Sequence, residues 1–122
     1  GQSASREVIS FRIQPGGALD KRTVFGTLPD KAVCDGICLD AEGALWIASP
    51  TTHEFLRMEP GGRITHRVPT GERHAIACVL GGPGRTTLFC VTAATISLRK
   101  ARQRNEGRVE TVEVSVPGAG VP

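Results

Sequence analysis

The chain is short of aromatic residues: it has no tyrosine, one tryptophan and four phenylalanines in 122 residues. A surface that grips single-stranded nucleic acid needs rows of stacking side chains, and this composition cannot supply them. The sequence also has no apolar run close to the roughly 20 residues that a membrane-spanning helix requires. Its opening, Gly1-Gln2-Ser3-Ala4-Ser5-Arg6, has no apolar segment of the secretory kind, and reads as a cut end. A formal net charge of +3 is too mild to imply an acidic partner. The expectation is a chain with neither a nucleic-acid nor a membrane partner.

The four cysteines, Cys34, Cys38, Cys78 and Cys90, form no C-x-x-C pair and no partnered histidine pair, so a zinc site built from them is disfavoured. Three of them, Cys38, Cys78 and Cys90, lie within apolar runs, where a free cysteine behaves as a small hydrophobe. That usage favours a reducing compartment, and a cytoplasmic location is expected.

What the sequence does have is an internal repeat. Phe11-Arg12-Ile13-Gln14-Pro15-Gly16-Gly17-Ala18-Leu19 aligns with Leu56-Arg57-Met58-Glu59-Pro60-Gly61-Gly62-Arg63-Ile64, 45 residues on, and a further equal step reaches Gly107-Arg108-Val109. Gly17, Gly62 and Gly107 each mark a tight turn, with proline ending the incoming strand and glycine supplying the positive φ. Between these hairpins lies a second kind. Ile37-Cys38-Leu39 turns through Asp40-Ala41-Glu42-Gly43 into Leu45-Trp46-Ile47-Ala48, and residues 76–80 turn through 81–85 into 88–91. These inner hairpins are apolar at consecutive positions, which predicts burial on both faces. Residues 9–13 and 112–116 alternate with period two, as half-exposed strands do.

Four antiparallel strands recurring at this interval define an all-β fold of β-propeller blades. A small β-sandwich also offers short strands and frequent turns, but has no reason to repeat Pro-Gly-Gly at a fixed spacing. The whole chain, 1–122, reads as a single propeller segment. It comprises an outer half-blade at 7–27, a full blade at 33–69, a last blade at 74–116 and a tail at 117–122. About two and a half blades are too few to close a ring of four to eight, so an apolar blade face is expected in water at each end.

The run Cys34-Asp35-Gly36-Ile37-Cys38-Leu39-Asp40-Ala41-Glu42-Gly43-Ala44-Leu45-Trp46-Ile47-Ala48 resembles the P-D-G-x-x-x-D-x-x-G-x-L-W-x-A segment of the regucalcin/gluconolactonase (senescence marker protein) family of six-bladed propellers. Further matches follow in order. They are Leu56-Arg57-Met58-Glu59-Pro60-Gly61-Gly62, Leu80-Gly81-Gly82-Pro83, Thr87-Leu88-Phe89-Cys90-Val91-Thr92-Ala93, and the ending from Gly107 through Gly120. The resemblance covers nearly the whole chain and corresponds to the C-terminal ~40% of such a protein. It implies a metal-dependent lactonase-like hydrolase acting on a small lactone or ester. In that family the aspartate of P-D-G points into the central channel, binds a divalent metal and is held to act as base in lactone hydrolysis. Carried over by motif, the metal ligand and catalytic residue is Asp35.

The residue-level reading of Asp35 alone is a turn-capping aspartate that accepts a backbone N–H two residues on. The next inner strand, opening at Ala75-Ile76-Ala77-Cys78, has no carboxylate at that point, so the blade scaffold does not demand one. Asp40, with Gly43, fits a β-turn and is read as structural. Cys34 stands where the family has proline, which loosens the backbone before the strand. The family's other metal ligands, a glutamate near the N-terminus and an asparagine in a middle blade, lie in sequence absent here. Calcium takes about six to eight oxygens and zinc about four ligands. The resemblance thus implies a divalent cation, calcium or zinc, that Asp35 does not hold by itself, and a segment inactive alone.

His53, in Pro50-Thr51-Thr52-His53-Glu54, lies on a strand connection that could stand near the channel mouth, and is read chiefly as a solvated loop residue. His66 is expected to point outward, and His74 precedes an inner strand. No serine, histidine and acid share the spacing of a hydrolase elbow. The basic run Arg99-Lys100-Ala101-Arg102-Gln103-Arg104 is read as a surface insertion. Two functional classes stay open: part of a lactonase-like enzyme, or a noncatalytic propeller module that binds another chain. Missing blades or further copies of this chain are the expected partners that would complete the ring.

Overall fold

The computed structural model describes residues 6–94 and 107–119. Among these residues there are nine strands: β1 (Glu7–Ile13), β2 (Leu19–Thr27), β3 (Ile37–Leu39), β4 (Leu45–Ser49), β5 (Glu54–Met58), β6 (Ile64–Pro69), β7 (His74–Gly81), β8 (Thr87–Ala93) and β9 (Arg108–Glu113). One 3-10 turn, Pro83–Arg85, interrupts the β7–β8 connection. The strands form three sheets in simple up-and-down order, β1-β2, β3-β4-β5-β6 and β7-β8-β9, with every ladder antiparallel. The basic run at 99–104 lies outside the described residues.

The turns explain why the chain reverses where it does. Gly17 N–H donates to the Gln14 carbonyl (2.8 Å) and Gln14 N–H to that of Ala18 (2.8 Å). The same two bonds recur at Glu59 with Gly62 and Arg63 (2.9 and 2.8 Å), and at Asp40 with Gly43 and Ala44 (3.0 and 2.9 Å). Gly17, Gly43 and Gly62 have φ of +91°, +81° and +102°, a region closed to most side chains. Each is a tight turn ending in a left-handed residue, a geometry that continues the right-handed twist of the flanking strands.

Packing between sheets needs close backbone approach. A Cβ added at Gly26 on β2 would stand 2.5 Å from Gly62 Cα, and one at Gly36 would stand 2.6 Å from Ala77 Cα. Gly61 N–H donates to the Phe25 carbonyl (2.7 Å), and Gly36 N–H to that of Ile76 (3.0 Å). Two apolar cores result. One sits between the first two sheets around Val8, Leu28, Cys34, Ile47, Leu56 and Met58. The other, between the second and third, gathers Trp46, Phe55, Ala75, Cys78, Leu88 and Cys90.

Burial corrects one expectation. β4 is buried throughout and β5 nearly so, but β3 is not: Ile37 and Leu39 are 42% and 48% exposed while Cys38 packs inward. On the last sheet Val79 and Val109 are 56% and 66% exposed. The cause is topological. β1-β2 covers only the outer part of the middle sheet, so no strand among the described residues stands against the Ile37 side of β3. The same holds for the Val79 side of β7. Consecutive apolar residues signal two-sided burial only where a sheet lies on both sides.

Candidate functional site

β3 and β7 are the first strands of their sheets and lie side by side, tied by the Gly36–Ile76 hydrogen bond. Asp35 stands just before β3. Its N–H donates to the Ala48 carbonyl (2.9 Å), and Ala48 N–H donates to that of Gly36 (2.8 Å), so the backbone on both sides of the carboxylate is fixed to the end of β4. The side chain is exposed, and its carboxylate has no hydrogen-bond or ion-pair partner among the described residues. The capping bond to the N–H of Ile37 that a turn role would require is absent among them. Gly36 is needed beside it because the neighbouring strand backbone fills the space a side chain would take.

Asp40 behaves in the opposite way. It is 1% exposed, and its Oδ1 accepts the N–H groups of Glu42 (3.0 Å) and Ala44 (3.1 Å). Its Oδ2 accepts from Arg57 Nε (2.7 Å), while Arg57 also donates to Glu42 (3.0 Å) and to the Thr65 hydroxyl (3.1 Å). Burial works against the Arg57 charge, but the two carboxylates push its pKa above the ordinary value. This is a turn locked to a strand by a buried ion pair, as the sequence reading of Asp40 expects.

The turn at residues 50–53 joins β4 to β5 at the end where β3 begins, and β7 starts at that same end. It brings together two residues read separately in the sequence. His53 Nδ1 lies 2.9 Å from the Arg73 carbonyl oxygen, and His74 Nδ1 lies 3.0 Å from that of Pro50. The ring centroids are 4.7 Å apart. His66 is elsewhere, on β6, exposed and 6.0 Å from the Trp46 ring. It borders a groove of about 370 Å³ lined by Trp46, Arg57, Arg67, Val68 and Val112. Trp46 Nε1 is buried there without a partner among the described residues.

All four cysteines are free. Burial raises the thiol pKa of Cys34, and burial with the Glu110 charge raises that of Cys90 to about 11. Contact with Cys38, together with burial, raises Cys78 further still, while the same contact lowers Cys38. Three of these thiols are packing residues, held protonated at neutral pH.

Antiparallel sheets stacked face to face, with first strands adjacent and an unpaired carboxylate at the opening of one, define a partial β-propeller. The chain belongs to the SMP-30/Gluconolactonase/LRE-like family, whose model matches residues 2–94. Among curated relatives, regucalcin of Danio rerio is 32% identical over 93 residues, covering 75% of this chain and 31% of that protein. Regucalcin of Homo sapiens is 28% identical over 94 residues, with the same coverage. The chain thus spans about a third of the length of the regucalcins it matches. Two solved structures share the fold at 19% identity, each covering 95% of this chain and 41% of the other. They are a luciferin-regenerating enzyme (TM-score 0.74) and a calcium-binding protein, regucalcin, from Agrobacterium tumefaciens (TM-score 0.75).

Proposed function

We propose that this chain forms part of a metal-dependent, lactonase-like hydrolase and contributes Asp35 to its metal site. The observation that carries the proposal is the carboxylate itself, backbone-fixed and exposed at the opening of an innermost strand, with no partner among the described residues. An anionic oxygen donor suits a hard divalent cation, and the calcium-binding name of a relative of the same fold favours calcium over zinc. One carboxylate is not a complete site. Among the described residues no group of three or more histidines, cysteines or acids gathers where a cation could be held. The remaining ligands would come from blades outside this segment.

A bound cation would polarise an ester carbonyl and acidify a water molecule. Asp35 would then hold the cation in register with its strand and accept the proton lost by that water. The substrate class is a small lactone or ester, and this segment alone is inactive. Calorimetric titration with Ca²⁺ and with Zn²⁺, on the rebuilt propeller and on its Asp35→Ala form, tests the assignment. The variant should lose affinity and hydrolysis together; equal behaviour of the two removes Asp35 from the site.

A second reading is a noncatalytic propeller module that acts by binding another chain. The exposed apolar residues at both ends of the stack, Ile37 and Leu39 at one and Val79 and Val109 at the other, favour it. Missing blades or further copies of the chain would cover them. The free cysteines support a cytoplasmic setting for either reading.

A further inference from the structure

The two histidines at the opening of β7 have an arrangement that neither capping nor packing requires. Each ring faces a backbone carbonyl through Nδ1, His53 toward Arg73 and His74 toward Pro50. A carbonyl oxygen only accepts, so each Nδ1 carries the proton. The neutral ring then holds its lone pair on Nε2. Neither Nε2 has a hydrogen-bond partner among the described residues. Two half-buried imidazoles therefore lie with ring centroids 4.7 Å apart, each with an Nε2 that no described residue engages.

The backbone is committed to this arrangement. His53 has φ +56°, left-handed for a residue with a side chain, and its own carbonyl accepts the Thr70 N–H (2.8 Å). Arg73, whose carbonyl holds the first ring, is anchored to Thr92 through Nε (2.8 Å). The left-handed geometry at position 53 costs free energy that a solvated loop could relax.

We propose that His53 and His74 form a two-histidine site for a late first-row divalent cation of the Ni²⁺ or Zn²⁺ kind, separate from Asp35. Nδ1 donating to a backbone carbonyl while Nε2 faces the cation is the arrangement that orients histidine ligands and raises their basicity. Imidazole nitrogen selects these ions, whereas a lone carboxylate prefers harder ones, so the two sites differ in ion class. One ligand comes from the middle sheet and one from the last. The ion cross-links two blades at the end where Asp35 stands, and water completes its coordination.

The test uses the 122-residue chain with Ni²⁺ as the probe. Asparagine replaces each histidine, because its side-chain N–H can still reach the carbonyl and it tolerates positive φ, while it has nothing at the Nε2 position. The chain is expected to bind one Ni²⁺ by calorimetry, with a rise in melting temperature that grows with ion concentration. His53→Asn and His74→Asn should each weaken binding by about 10- to 100-fold or more, since even an outer-shell partner is worth that much. Asp35→Ala should leave it unchanged. NMR on the unmodified chain gives a reading independent of the variants, with paramagnetic broadening centred on residues 50–53 and 73–74. No Ni²⁺ uptake, variants that bind like the parent, loss of binding in Asp35→Ala, or broadening centred elsewhere would each overturn the site.

Discussion

At the scale of single residues, two aspartates five positions apart do opposite work. Asp40 is buried and fully engaged, and Arg57 is its counter-charge. Replacing Arg57 with alanine leaves a buried carboxylate without a cation, and should cost about 3–5 kcal/mol in chemical denaturation. Asp40→Asn removes the buried carboxylate and leaves Arg57 paired with Glu42, while the side-chain oxygen can still accept the Glu42 and Ala44 N–H groups. It should cost less than Arg57→Ala; the reverse order would mean that the Arg57 charge left without Asp40 is costlier than the Asp40 charge left without Arg57. Cys90 supplies a pH dependence. Its thiol is raised to about 11 when folded, so the unfolded chain ionises first. Stability from this group is fully present below the ordinary thiol pKa, and falls between about pH 9 and 11. Denaturation midpoints across that range should decline in the parent and decline less in Cys90→Ala, measured against each variant's own value at pH 7. The structural role of Asp40 was legible because a turn has a fixed local spacing. The pairing of His53 with His74 was not, because contacts between blades obey no sequence interval.

At the scale of elements, the glycines at sheet contacts matter as much as those in turns. Gly36 faces Ala77 backbone on the neighbouring first strand, and backbone cannot swing aside as a flexible side chain can. Gly36→Ala should force β3 from β7 and cost about 1–3 kcal/mol, the range of overpacked cores. The same change at Gly43, with open space around its Cβ position, should cost only the left-handed backbone penalty of about 1–2 kcal/mol. Thermal melts of the two variants compare these causes, and a larger loss at Gly43 would show that turn strain outweighs blade contact. The comb was readable because the turns at Gln14 through Gly17 and at Glu59 through Gly62 share the same hydrogen bonds and each ends in a left-handed residue, a place that glycine fills. The order of burial across the middle sheet was not. Apolar content put Ile37 and Leu39 inside, whereas exposure depends on which neighbouring sheet lies against each face.

At the scale of the whole molecule, those uncovered faces decide how the chain behaves in solution. One end of the stack offers Ile37 and Leu39, with Phe11, Ile13 and Leu19 also exposed on the first hairpin. The other offers Val79, Val91 and Val109. The two ends are different surfaces, so copies joining through them would meet head to tail, a mode that either closes a ring or continues as an open stack. Contiguous apolar surface of this kind favours association. Light scattering on the 122-residue chain should give an average mass above 12.9 kDa that rises with concentration. Val79→Lys with Val109→Lys should restore a monomer without lowering the melting temperature, because both side chains already face water in the isolated chain. The regucalcins this chain matches are about two and a half times as long, so their own blades can occupy such faces, and the same double change made in a rebuilt propeller should destabilise the ring instead. A monomer at every concentration in the unmodified chain would show that the end faces tolerate water, and would leave ring completion to blades of the same polypeptide.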